Sequence, residues 1–250
     1  MTRGFYTIMS AQFFSSLADN ALFVTAVELL RTGGAPEWQS AALVPMFALF
    51  YVMLAPFVGA FADAFPKGRV MFISNAIKVV GCLLMLFGHH PLLSYAVVGL
   101  GAAAYSPTKY GFLTELLPAS QLVKANGWIE GLTISSIILG VLLGGQLVGP
   151  AIATPLLALG IPGVDSPAEA AIGVLIFVYV LASVFNLRIP RTSTPLVSLR
   201  QDPSKGTFAN TVALLPDFWD CNNRLWRDKL GQISLSTTTL FWGVSGNLRY

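Results

Sequence analysis

Charge is what this sequence has least of. Only 11% of its 250 residues are charged, against roughly a quarter in an ordinary soluble domain, and that shortage excludes a soluble globular enzyme. A polar majority is missing too. Hydrophobic residues make up 54% of the chain and the mean hydropathy is +0.67, which excludes a disordered or nucleic-acid-binding chain, since both need polar surface in excess. The net charge of +3 is therefore loop charge on a polytopic membrane protein. Cysteine is nearly absent: Cys82 lies in an apolar run and Cys221 in a distant charged stretch, so they make no disulfide framework and indicate no redox compartment. The two histidines, His89 and His90, share a short turn. Adjacent histidines there are ordinarily solvated, and no His-x-x-x-x-Asp pattern follows to support acid–base catalysis. No metal, cofactor or enzymatic reaction is expected.

What the sequence has is long apolar runs. A bilayer core of about 30 Å needs roughly 20 apolar residues as helix, and six complete runs of that order occur: Gly4 to Leu30, Ala41 to Ala62, Val70 to Gly88, Leu92 to Leu117, Gly127 to Ala153 and Ala168 to Leu187. A seventh, Leu230 to Tyr250, reaches the end of the chain. Lipid offers the backbone no hydrogen-bond partners, so the expected fold is all-α. The first run is too long for a signal peptide, lacks a small-residue cleavage site and is followed by further spans.

Orientation follows from Lys and Arg. With a cytoplasmic N-terminus, that side receives Arg3, Lys67, Arg69, Lys124, Arg188, Arg191, Arg200, Lys205, Arg224, Arg227 and Lys229, while the opposite side holds only Arg31 and Arg249. The expected domains are a six-helix bundle over 1–187, a cytoplasmic linker over 188–229 with seven basic and four acidic residues, and the start of a second, truncated bundle over 230–250. Within the linker, Leu215, Phe218, Trp219, Leu225 and Trp226 recur at helical spacing beside Arg224, Arg227 and Lys229. That pattern fits a helix lying on the membrane surface and equally a loop helix packed on the bundle ends.

A charge at bilayer depth costs about 2.5 to 3.5 kcal/mol on insertion scales, so each needs a partner, water or a task. Asp19 sits near the middle of the first run beside Asn20, with Gln12, Ser15 and Ser16 on or near its face. A substrate site and a hydrogen-bonded seam between helices both fit this stripe. Lys109, in the fourth run, follows Tyr105, Ser106 and the helix-loosening Pro107. A lysine there can bind phosphate as a point charge, with Tyr105 and Tyr110 supplying hydroxyls and ring surface; mutual neutralisation with Asp19 is the alternative. Lys78, one turn after Ser74 and Asn75, is expected to snorkel toward the cytoplasm. Glu130, near Asn126 and Thr133, reads as a gate or an end-capping contact. Glu28 and Glu115 lie near run ends, where exposure is the default.

Between the second and third runs stand Gly59, Asp63, Lys67, Gly68 and Arg69. The stretch resembles the cytoplasmic signature of the major facilitator superfamily, Gly-x-x-x-Asp-Arg-x-Gly-Arg-Arg, with Ala64 where the signature has Arg. Its physical sense is a close-packing glycine, an aspartate that caps or pairs at a helix end, and basic residues that hold the loop inside. Gly140 and Gly144 form a small-x-x-x-small pair, with Gly145, Gly149 and Pro150 following; this reads as close helix packing and a bend. Six runs, a basic loop and a new run are similar to the superfamily plan of two six-helix halves around a cavity.

A finer resemblance is to the bacterial lysophospholipid transporters. It rests on Gln12 to Leu22, Tyr105 to Gly111, Lys124 to Gly127 and Leu225 to Ser234. The resemblance implies movement of lysophosphatidylethanolamine and lysophosphatidylglycerol from the outer to the inner leaflet of the bacterial inner membrane. It also implies an acyltransferase/acyl-carrier-protein synthetase partner that restores the missing chain. It places Asp19 and Lys109 in the central cavity and Arg224 or Arg227 at a headgroup near the cytoplasmic exit; Asn20, Tyr105, Tyr110 and Glu130 complete the expected substrate residues, and Gly59, Asp63, Lys67 and Arg69 are the expected gating residues. Phe23, Phe47, Phe50, Tyr51 and Trp128 would supply an apolar face for one acyl chain. The competing reading is a proton-coupled efflux carrier of the same superfamily for small amphiphiles; a membrane scaffold or an acyltransferase subunit is a third. Because the superfamily has a second half of similar size, the chain is expected to be a truncated member that cannot flip lipid alone unless two copies pair.

Overall fold

A computed structural model of the chain describes residues 3–190 and 206–247. Among them are ten helices and no strand: α1 (Arg3–Thr32), α2 (Glu37–Met53), α3 (Ala55–Ala64), α4 (Lys67–Leu86), α5 (Pro91–Leu116), α6 (Ala119–Val148), α7 (Pro150–Leu157), α8 (Pro167–Leu187), α9 (Thr207–Arg227) and α10 (Lys229–Asn247). They divide into two units, residues 1–198 and 199–250.

Four helices, α1, α4, α6 and α8, are long and apolar enough to cross a membrane. The second apolar run is broken: α2 and α3 meet at Leu54 and bend by 65°, because Pro56 has no N–H to continue the intrahelical ladder. Taken as one span, the pair is a fifth crossing. Helix α5, with 26 residues, is about 39 Å long, although the polar run from Tyr105 to Lys109 lowers its apolarity. The fifth apolar run also differs from expectation. Helix α6 starts earlier, at Ala119, and stops at Gly149, which the following Pro150 holds extended at φ −70 and ψ 151. Helix α8 begins with a capping box, in which Ser166 Oγ accepts from the Glu169 amide at 3.3 Å and Glu169 Oε2 accepts from the Ser166 amide at 2.8 Å.

In the first unit α1 packs between α6 and α8, α4 packs between α5 and α8, and α5 also lies against α2. These crossings are close because small residues line them. A Cβ on Gly140 would stand 2.6 Å from the Leu17 carbonyl oxygen, and one on Gly144 would stand 2.7 Å from that of Ala21, so the glycine pair is the α1–α6 seam. Gly59 is different. Open space surrounds it, and the tight glycine of that region is Gly68, whose Cβ would meet the Asn186 carbonyl oxygen at 2.8 Å. The close-packing role expected of Gly59 therefore belongs nine residues later.

In the second unit, the Asp228 carboxylate accepts from the Gly231 amide at 2.8 Å and so starts α10. The described part of the seventh run is helical, but Ser234, Ser236 and Thr237 to Thr239 keep α10 out of the set apolar enough to cross. Residues 191–205 of the linker, with Arg191, Arg200 and Lys205, and 248–250, with Arg249, lie outside the described residues.

Candidate functional site

The polar stripe of α1 splits between two neighbours. Ser16 and Asn20 serve the α6 side: Ser16 Oγ lies 2.7 Å from Ser136 Oγ, and the Asn20 amide donates to the Ser16 carbonyl at 2.8 Å. Asn20 thus bonds back to its own helix, its Cβ lying 2.8 Å from where a Gly140 Cβ would stand. Ser15 and Asp19, one turn apart, serve α4 and α8.

Lys78 of α4 is the partner of Asp19. Its ammonium donates to Asp19 Oδ2 at 2.7 Å and to Ser15 Oγ at 2.9 Å. Ser15 in turn donates to Asn75 Oδ1 at 2.8 Å, and the Tyr179 hydroxyl of α8 donates to Asp19 Oδ1 at 2.7 Å. Lys78 Nζ also sits 5.1 Å from the centre of the Tyr105 ring and 5.6 Å from that of Tyr179, within cation–π range. The lysine side chain is 1% exposed. Snorkelling to the cytoplasm is thus overturned: a long stem can reach water only where nothing nearer compensates the charge, and here a carboxylate one helix away does. The Tyr105 hydroxyl points to Asn186 Oδ1 at 3.4 Å, joining α5 to α8.

Lys109 does not neutralise Asp19. It is 5% exposed, its ammonium lies 4.5 Å from the centre of the Tyr110 ring, and no carboxylate among the described residues comes within 4.0 Å of it. Tyr110 donates its hydroxyl to Glu130 Oε1 at 2.7 Å, tying α5 to α6. A third lysine, Lys67, is buried at the joint of α3, α4 and α5, where it meets Asp63 at 2.6 Å, Glu115 at 3.3 Å and the Ala62 carbonyl oxygen at 2.9 Å. Glu115, expected at an exposed end, is instead a partner of this buried lysine. Asp63 and Arg69 are exposed.

With this geometry in place, similarity to known proteins is decisive: the sequence model of the Major Facilitator Superfamily matches residues 8–248. The chain belongs to the major facilitator superfamily. Within it, the chain is 40% identical over all of its 250 residues to the lysophospholipid transporter LplT of Yersinia enterocolitica serotype O:8 / biotype 1B (strain NCTC 13174 / 8081). It is likewise 40% identical to the LplT proteins of Yersinia pestis (strain Pestoides F) and Yersinia pseudotuberculosis serotype O:3 (strain YPIII). In each case it spans 56% of the relative's length. The relatives are named as transporters, and this superfamily member is a multi-pass membrane protein.

The stretch that resembles the superfamily signature contributes Asp63 and Lys67 to the joint with Glu115. Some of the aromatic residues expected beside an acyl chain meet one another. Phe47 lies 5.2 Å from Tyr95 and 6.1 Å from Tyr51, and Phe23 lies 6.4 Å from Tyr95, ring centre to ring centre, while Trp128 is exposed on α6. Roughly two turns beyond Lys78 along α4, Leu83, Leu86 and Phe87 line an apolar cavity of about 410 Å³ with Ile161, Ala170 and Val174. His90 caps α5, its Nδ1 accepting from the Leu92 amide at 3.3 Å. In the other unit Arg224 and Arg227 stand exposed in the last turn of α9, and Leu215, Phe218, Trp219, Leu225 and Trp226 are exposed on the same helix.

Sequence reasoning missed Lys78, Tyr179 and Asn186 as members of the central network. For Lys78 the signal was present, since Ser74, Asn75 and Lys78 make a polar face in an apolar run. Tyr179 lies within Ile176 to Leu181, where nothing separates it from a lipid-facing aromatic.

Proposed function

We propose that this chain supplies the N-terminal half of a lysophospholipid transporter, which moves single-chain phospholipids from the outer to the inner leaflet of the bacterial inner membrane for reacylation. One observation carries this reading. Of the three buried lysines, Lys67 and Lys78 each contact a carboxylate, whereas Lys109 packs on the Tyr110 ring with no carboxylate within 4.0 Å among the described residues, Glu130 acting on it only from farther off. A buried ammonium without a carboxylate in contact is costly, and an arriving phosphate offsets that cost. Tyr110 and Glu130 border this position, and Tyr105 lies one turn away on the same face of α5. The name shared by the relatives supports the lipid class.

The wider assignments follow from the same reading. The N-terminus is cytoplasmic, the segment 188–229 links two bundles with α9 on the membrane surface, and 230–250 begins the second bundle. Arg224 and Arg227 meet headgroups on that surface. Asp63, Lys67 and Arg69, with the loosely packed Gly59, form the joint that moves during gating. An acyltransferase/acyl-carrier-protein synthetase takes the delivered lipid. The test is lysolipid binding by the purified chain in phospholipid nanodiscs. Lys109→Ala weakens binding of radiolabelled lysophosphatidylglycerol by at least about tenfold, the loss expected for a desolvated charge-assisted contact. Unchanged affinity overturns the reading.

A further inference from the structure

The Asp19–Lys78 pair is open at one end only. Lys78 is 1% exposed, whereas the Asp19 side chain is 18% exposed, so a ligand meets the carboxylate first. A buried ion pair exchanges the hydration of both ions for their mutual attraction, and a third charge that enters must leave neither ion uncompensated. A group carrying one positive and one negative charge a few bonds apart meets that condition. Its ammonium replaces Lys78 on Asp19, its anionic oxygens replace Asp19 on Lys78, and the net charge of the pocket does not change. A purely anionic group takes Lys78 only by leaving Asp19 to the Tyr179 hydroxyl.

Two further features fit such an exchange. The side-chain amide nitrogens of Asn75 and Asn186 are buried without a hydrogen-bond partner among the described residues, and these are the same two amides whose oxygens hold Ser15 and Tyr105. Unsatisfied buried donors are rare; one stands a turn before Lys78 on α4 and the other joins the network through Tyr105, and both are donors that anionic oxygens would satisfy. On α5, a Cβ at Gly101 would stand 2.8 Å from Lys78 Cγ; the missing side chain leaves room for the lysine stem.

We infer that Lys78 is a positioning and specificity-determining residue: as the resident counter-ion of Asp19, it admits a zwitterionic phosphoammonium headgroup by partner exchange. It thereby sets how such headgroups compete with phosphate headgroups that lack an amine. This rests on the lysophospholipid reading and assigns discrimination within it to a residue outside the stretches that carry the family resemblance.

The experiment measures partition of radiolabelled lysophosphatidylethanolamine and lysophosphatidylglycerol into phosphatidylcholine nanodiscs holding the full chain, relative to empty discs. The readout is the ratio of the two affinities, ethanolamine over glycerol. Lys78→Met exposes an uncompensated carboxylate and raises the ratio about tenfold, and Asp19→Asn leaves an uncompensated ammonium and lowers it by a similar factor. Lys78→Arg, which keeps the charge, returns the ratio toward that of the unsubstituted chain. Should either single variant fail to fold, the neutral double variant Asp19→Asn with Lys78→Met removes both charges, and its ratio falls below that of the unsubstituted chain. A purely structural role moves both affinities in parallel, so a constant ratio across variants that still bind overturns the inference. Binding of neither lipid by the unsubstituted chain removes the lysophospholipid reading itself, and the inference with it.

Discussion

The two shortest ion pairs of the first unit have nearly the same length and are predicted to differ several-fold in worth. Lys78 to Asp19 is 2.7 Å with side chains 1% and 18% exposed, and Lys67 to Asp63 is 2.6 Å with side chains 6% and 58% exposed. At an effective dielectric of 20, attraction across 2.7 Å is about 6 kcal/mol, most of it offset by desolvation of the two ions. Removing one partner of a buried pair leaves the other charge stranded, at a cost of about 3 to 5 kcal/mol, whereas replacing both with neutral groups is close to neutral. A double-mutant cycle of Asp19→Asn and Lys78→Met therefore returns a coupling of at least about 3 kcal/mol, the double variant being more stable than either single one. Asp63→Asn costs no more than about 1 kcal/mol, because water compensates the exposed carboxylate and Lys67 keeps Glu115. The assay is equilibrium unfolding in mixed micelles titrated with sodium dodecyl sulfate, read by tryptophan fluorescence. Additive single effects at Asp19 and Lys78, or an Asp63 variant as damaging as the Asp19 one, would refute the argument that burial rather than distance sets the energy.

The same titration tests three other residues. Tyr179→Phe strands one carboxylate oxygen of Asp19 and costs about 1.5 to 3 kcal/mol, the range of a hydrogen bond to a charged group; a loss under about 0.5 kcal/mol contradicts the bond. Gly140→Leu forces α1 and α6 apart where a Cβ would already stand 2.6 Å from the Leu17 carbonyl oxygen, costing about 1 to 3 kcal/mol, and a cysteine cross-link between Ser16→Cys and Ser136→Cys slows in that background. Lys109→Met leaves stability unchanged or raises it, since it strands no carboxylate; a loss comparable to that of Lys78→Met would reveal a structural partner.

Some of the site was readable because its residues break a pattern. Asp19, Lys78 and Lys109 are charges in apolar runs, and any charge at that depth announces itself. Their pairing was not readable. Asp19 is 59 residues from Lys78 and 90 from Lys109, and both lysines present a polar face one helical turn long, so spacing favours neither. The choice was made by which face of α4 turns to α1, while Gly101 sets how closely α5 approaches α4 and Gly140 and Gly144 how closely α6 approaches α1. The glycine at the superfamily signature misled for a related reason: Gly59 and Gly68 look alike in sequence, and only the second lies under the end of α8.

The sequence by itself determined that the chain is a helical membrane protein, where most of its spans begin and end, and which of its groups are too costly to leave in lipid. Those properties depend on local composition, because hydropathy and backbone hydrogen bonding are decided within one run. Tertiary structure alone decided that Lys78 answers Asp19, that Lys109 is left facing a ring, and that Tyr179 completes the carboxylate's partners. A counter-ion is chosen by distance in space, and helix crossing brings together residues that the chain keeps far apart.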